Sequence, residues 1–279
     1  MPNISLAQWS LNRAFRNGDL KAVDFASIAK NTYDINAVEF VSSLYGEQGE
    51  AAGFWESMTQ RSSDAGVENL LIMIDGEGDL GANAEDKRIE AVENHYRWVD
   101  RAKTLGCHSI RVNAFGDGNR AELRTALIDG LGRLTEYSAK SDINILIENH
   151  GLFSSDANFV VDVIQQVNSE HLGTLPDFGN WCTSVKWGGT STDGCESVFD
   201  HAEGVKTFMP YAKGVSAKTY DFDAAGDQPR LDYPKLLKIV KDTGFDGYIG
   251  IEYEGESLSE HEGILATKKL IENTWSALD

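Results

Sequence analysis

Residues 143–150 read INILIENH, and how this stretch is read decides the fold. Ile143, Ile145, Leu146 and Ile147 form a run too apolar for a strand with one wet face, which marks a strand covered on both sides. Glu148 follows at once, then Asn149, His150 and Gly151. A charge at the edge of a core is costly unless something compensates it. The same arrangement recurs about a hundred residues later in GYIGIEYEG, where Tyr248, Ile249 and Ile251 lead into Glu252. Two apolar strands that each end in Glu point to a shared purpose.

Outward from these two strands, short apolar runs alternate with stretches of helical period. The expected strands are Ile4–Trp9, Ala37–Val41, Asn69–Ile74, Ser109–Val112, Ile143–Ile147, Leu172–Leu175, Gly214–Ala217 and Tyr248–Ile251. Between them, Ile89, Val92, Tyr96 and Val99 lie 3 or 4 residues apart, as do Leu123, Leu127, Leu131 and Leu134, the spacing of one helix face. Tyr233, Leu236, Leu237 and Val240 repeat the pattern behind Asp232, a candidate N-cap with Pro234 just inside the helix. Ile264, Leu265, Ile271 and Trp275 mark a closing helix. Eight strands each followed by helix within 279 residues predict a (β/α)₈ TIM barrel over 1–279; the rival is a doubly wound open sheet. Trp181–Cys195, rich in Gly, Ser and Thr, is expected to be a long loop after the sixth strand.

Barrel chemistry gathers at the ends of strands, where the βα loops open. The residues expected there are Trp9, Glu39, Asp75, Asn113, Glu148, Asp177, Lys218 and Glu252. Glu39 or Asp75 alone reads as a loop cap or an ion pair. Glu148, Asp177 and Glu252 belong to strands on one side of a closed barrel, and three converging carboxylates repel unless protonated or holding a cation. An all-oxygen site suits Mn²⁺, Mg²⁺ or a similar divalent ion. Of the six histidines, His150 alone neighbours a candidate ligand and is expected to line the pocket, with a structural hydrogen bond as the alternative.

Lys and Arg total 25 against 44 Asp and Glu, a net charge of −19, which repels nucleic acid and anionic membranes. Cys107, Cys182 and Cys195 show no C-x-x-C spacing and are expected to be free thiols; with no basic leader and no membrane-length apolar run, this predicts a cytoplasmic protein. The stretch DGEGDLG carries Gly76, Gly78 and Gly81 in dinucleotide-fingerprint spacing. Glu77 and Asp79 would repel a pyrophosphate, however, so an acidic loop is expected and no nucleotide cofactor.

The segments SLAQWSLNRAF, INAVEFV, LLIMIDGEGDLG, SIRVNAFG, ILIENHG, GTLPDFGNW, AKTYDFD and YIGIEYEG, in order along nearly the whole chain, resemble the sugar phosphate isomerase/epimerase group of xylose-isomerase-like barrels. IENHG, PDFGN and GIEYEG are the most specific. The resemblance implies one divalent metal (Mn, Mg, Co or Zn) held by Glu148, Asp177, a strand-seven His and Glu252, with Glu148 and Glu252 moving protons beside a carbonyl of a sugar or keto-sugar. Lyases and dehydratases of keto-sugars, and non-catalytic sugar binders, share the framework. Trp9, Asn113, His150, Asn180 and Lys218 are expected to meet the substrate, with Lys218 also an electrophile or acid. The chain departs from the group's pattern in strand seven: Ser216 stands where the relatives carry the His ligand, so weaker metal affinity is expected. Few basic residues lie near strand ends, only Arg111 and Lys218, which argues against a sugar phosphate.

Overall fold

The computed structural model describes residues 1–278. Eight parallel strands form one curled sheet: β1 Asn3–Ala7, β2 Ala37–Val41, β3 Glu68–Met73, β4 Ser109–Asn113, β5 Asn144–Glu148, β6 Leu172–Leu175, β7 Val215–Thr219 and β8 Tyr248–Tyr253. Hydrogen bonding runs consecutively from β1 to β6, while β8 joins β1 to β7. The ring closes between β6 and β7 through bridges pairing Thr174 with Ala212 and Asp177 with Ser216. This is the (β/α)₈ barrel that the alternation predicts, and it excludes the open sheet.

Helices wrap the outside: α1 Asn12–Asn17 and α2 Phe25–Tyr33 after β1, α3 Phe54–Ala65 after β2, α4 Glu85–Leu105 after β3, α5 Arg120–Ala139 after β4 and α6 Ala157–Val167 after β5. They continue with α7 His201–Phe208, α8 Tyr233–Asp242 and α9 Glu260–Ala277 after β6, β7 and β8. Asp232 caps α8, its carboxylate accepting from the Lys235 amide, and Pro234 sits in the first turn, where no N–H is missed. No described helix is long and apolar enough to cross a membrane.

Alternation along each strand divides the residues between two layers. Ile145 and Ile147 of β5, with Ile110 and Val112 of β4, pack outward against the helices, where burial stabilises by about 1.5–3 kcal/mol per side chain. Leu146 of β5, with Leu71, Met73 and Leu175, fills the barrel interior. Glu148 follows Leu146 on that inward side, so the strand pattern itself aims this carboxylate into the barrel.

Glu39 differs from the expectation of a rim residue. It lies mid-strand in β2 and is buried, with Ser5 Oγ donating to its Oε1 at 2.6 Å and its Oε2 unpartnered. A Cβ at Gly250 of β8 would fall 2.4 Å from Glu39 Oε1, so a larger residue there would displace this carboxylate. Burial, more than the nearby Glu252 charge, lifts the Glu39 pKa from 4.5 to about 7. The folded state therefore holds this proton more tightly than the unfolded chain. The resulting stability is fully present below pH 4.5 and is lost as pH rises through about 7. Glu39→Gln should be more stable than the parent by about 3 kcal/mol at pH 8 and nearly equal to it at pH 4. Urea unfolding at the two pH values checks this; a gap independent of pH would refute it.

Candidate active site

At the C-terminal rim of the barrel, Glu148 ends β5, Glu252 is the penultimate residue of β8, and Asp177 lies two residues beyond β6. One oxygen from each carboxylate lies within 4.8 Å of the others, and all three side chains are buried. The turn after β6 builds its own support. Asp177 Oδ1 accepts the Gly179 and Asn180 amides at 2.7 and 2.8 Å, and the Asn149 side chain clamps the Asp177 backbone through both its amide atoms. Asn180 Nδ2 in turn donates to Glu148 Oε1 at 3.1 Å.

Ser216 and Lys218 share a face of β7, as alternation requires, and both point at the cluster. Ser216 Oγ lies 2.6 Å from Asp177 Oδ2 and 2.6 Å from Glu252 Oε2. A hydroxyl has one hydrogen, so it satisfies one carboxylate at a time, and the other short contact calls for a proton on a carboxyl group or for a cation. Lys218 Nζ is 3.7 Å from Asp177, 3.6 Å from Glu252 and 3.3 Å from Glu254. Burial would lower its pKa, but these carboxylates hold it well above the usual lysine value. Neither Asp221 nor Asp223 is among these partners.

Arg111, projecting inward from β4, supplies the second buried cation. Its Nη1 donates to Asp75 Oδ1 at 2.8 Å, and its Nε lies 2.8 Å from Glu148 Oε2 at an angle that makes no hydrogen bond. Glu148 Oε2 is thus a buried oxygen with charge beside it and no hydrogen-bond donor. Burial lifts the Glu148 pKa to about 8 despite Arg111, and lifts Asp177 to about 7 despite Lys218. Asp75 goes the other way: burial would raise it, but the Arg111 charge and hydrogen bonds from Arg111 and Asn113 bring it down to about 2.

A cavity of about 310 Å³ opens at this rim, with Trp9, His150, Trp187, Lys218, Glu252 and Glu254 among its walls. Larger depressions lie around Phe153 and around Tyr211, but neither includes any of the clustered carboxylates. Trp9 donates from Nε1 to Glu254 Oε1 at 2.6 Å, and Arg16 covers its ring at 4.6 Å. Asn113 stands behind the pocket wall: its amide nitrogen donates to Asp75, so its Oδ1 must accept the proton on His150 Nδ1, 2.7 Å away. His150 is held neutral by burial first, then by Arg111 and Lys218, and Nε2 remains its free acceptor.

The loop after β6 reaches over this wall. Cys182 and Cys195 are disulfide-bonded with their Cα atoms 5.9 Å apart, so of the three expected free thiols only Cys107 is one. Nothing in their spacing announces the pair; the loop's return creates it, with Thr183 N bonding Ser197 O and Phe199 N bonding Trp181 O. The cysteine argument for a reducing compartment is correspondingly weaker. The loop tip leans on Gly151, where a Cβ would sit 2.3 Å from Val185 O, and this close approach sets Trp187 edge-on to His150 at 5.1 Å and to Phe115 at 5.2 Å. The glycine-rich stretch after β3 is pinned elsewhere: Glu77 is held by Arg97 and by Trp98 Nε1 of α4, an acidic loop as expected.

The sequence pattern described as "Xylose isomerase-like TIM barrel" matches residues 28–274. The chain belongs to this family. The resemblance drawn from IENHG, PDFGN and GIEYEG is therefore borne out. A 3'-dehydrocarminate deglycosidase alpha subunit of Microbacterium sp is 22% identical over 265 residues, covering 73% of each chain. A D-tagatose 3-epimerase-like protein superposes with a TM-score of 0.72 at 15% identity, covering 99% of this chain and 98% of its own. The IOLI protein with a binding zinc atom superposes at 0.73 with 12% identity and 99% coverage of both chains. At such identities, the structural likenesses establish the shared fold.

Proposed function

We propose that the protein is a divalent-metal-dependent isomerase or epimerase of a sugar or keto-sugar, moving a proton at a carbon beside a carbonyl through Glu148 and Glu252. The observation that carries this reading is the convergence of three buried carboxylates, one of which, Glu252, is a wall of a small-molecule cavity.

The residues fit a cation. Five carboxylates (Asp75, Glu148, Asp177, Glu252 and Glu254) face two buried cations, Arg111 and Lys218, and Glu148 Oε2 lacks a hydrogen-bond donor. Glu148, Asp177 and Glu252 would hold the ion, with Ser216 as a weaker neighbour in place of histidine. Once bound, it would supply Lewis-acid polarisation of a substrate carbonyl. The chain's own groups do the rest. Glu148 and Glu252 come from β5 and β8 on facing sides of the cluster, so one can take a proton from one face of a carbon and the other return it on the opposite face. Lys218 Nζ donates to a substrate oxygen where negative charge develops. His150 Nε2 accepts from a hydroxyl, and Trp9 offers an apolar wall to the sugar's C–H face.

The likeness to a deglycosidase subunit favours a second reading on the same site, a lyase. There the proton is taken from the carbon beside the carbonyl, a carbon–carbon double bond forms, and a β-oxygen substituent departs with a proton.

Incubation with ketoses in D₂O and Mn²⁺, Co²⁺, Mg²⁺ or Zn²⁺ tests both readings. Deuterium should enter the carbon beside the carbonyl, and the effective ion at 100 times its Kd should stabilise the fold by about 2.7 kcal/mol. Loss of a substituent in place of epimer formation selects the lyase. Absence of both deuterium uptake and thermal stabilisation by any of the four ions would refute the proposal.

A further inference from the structure

Trp187 and Glu254 bound one side of the cavity above the carboxylates. Both are also walls of a second cavity of about 410 Å³ on the same rim. Asn180, which bonds Glu148, lines it as well. Its far side comes from the loops after β7 and β8 and from the disulfide-bonded loop. At about 310 Å³ the first cavity lies at the lower limit for small-ligand sites, roughly 300 Å³, so the second adds room for another unit of similar size.

The lining of the second cavity specifies its occupant. Arg230 lies 4.7 Å over the Tyr220 ring while its Nη1 donates to Asp193 Oδ1 at 2.6 Å, so its charge is already matched. Asp193, Asp221, Glu254 and Glu256 leave an excess of negative charge against that single cation. A phosphate or carboxylate would be repelled. A neutral ring with many hydroxyls finds carboxylate acceptors for its O–H groups and the exposed aromatic surface of Trp187 for its C–H face.

Resting on the sugar isomerase or epimerase reading, we infer that the substrate is a two-unit neutral glycoside: a reacting sugar seated at the carboxylates and a second polyhydroxy ring held beyond Trp187, among Asp193, Asp221, Arg230 and Glu256. Neither a free monosaccharide nor a sugar phosphate uses both cavities.

Calorimetric titration of the Mn²⁺-supplemented protein with fructose, fructose 6-phosphate, turanose, lactulose and isomaltulose tests this, because the three disaccharides all carry a second ring on the same ketose. At least one should bind 10-fold or more tighter than fructose, and the phosphate should bind more weakly than fructose. Arg230→Ala and Glu256→Ala, at residues that line the second cavity and not the first, should reduce the disaccharide's advantage at least fivefold and leave fructose binding unchanged. Three disaccharides no tighter than fructose, or variants that weaken fructose equally, overturn the two-unit inference alone. Failure of every sugar to bind, fructose included, overturns the sugar reading with it. Binding does not depend on turnover, so an absence of deuterium uptake would refute the proposed chemistry without touching this contrast.

Discussion

Glu148→Gln and Glu252→Gln should each lower turnover by about 10²–10⁴-fold, the usual worth of a general acid or base. Glutamine keeps the size of the side chain and one acceptor oxygen, so the surroundings of either residue survive the change. In the Glu148 variant, Arg111 still pairs with Asp75; in the Glu252 variant, Ser216 and Lys218 still have Asp177. The loss should therefore appear in kcat, in folded protein, with deuterium uptake falling in parallel. A drop of less than tenfold in both variants would show that these carboxylates do not carry the proton.

Lys218→Met carries the largest expected cost in stability. The ammonium is buried against Asp177, Glu252 and Glu254, and methionine removes the charge while filling most of the volume. Breaking a buried pair by deleting one partner typically costs about 3–5 kcal/mol, because the remaining charges lose their compensation. Addition of the effective divalent ion should recover part of that loss, since it restores positive charge to the same carboxylates, but activity should stay low because the proposed donor to the substrate is gone. Denaturant unfolding with and without the ion measures this. A loss below about 1 kcal/mol with full activity would show that Lys218 neither balances the cluster nor serves the substrate.

Much of the architecture is legible in the sequence because strand and helix periods leave separate marks. β2 and β6 coincide with the expected Ala37–Val41 and Leu172–Leu175, and the other strands shift by one or two residues at their ends. Glu148, Asp177, Lys218 and Glu252 are legible for a simple reason, a charge at the edge of an apolar run. The same reasoning misplaces Glu39, because a strand buried on both faces does not reveal which of its residues sits at the middle of the barrel. Arg111 stands out as a cation in SIRVN, but its position between Asp75 and Glu148 depends on how three strands align. Glu254 repeats the Glu252 signal two residues later, on the same side of the chain. Trp187 and the Cys182–Cys195 bond leave no periodic trace, since an irregular loop acquires its contacts only when the rest of the fold supplies a surface.

The place where the barrel closes adds a mechanical consequence. Every other neighbouring pair of strands is zipped by a ladder, with a register shift at Val38 and Glu39 in β2, but β6 meets β7 through isolated bridges, with Phe178 N bonded to Ser216 O and Ser216 N to Pro176 O. The clasp of the ring thus includes two residues, Asp177 and Ser216, of the carboxylate cluster itself. An occupant drawing those side chains together would fasten the barrel at its thinnest join, and an empty, mutually repelling cluster would pry at it. Hoop strength and occupancy are in this way a single property of the molecule.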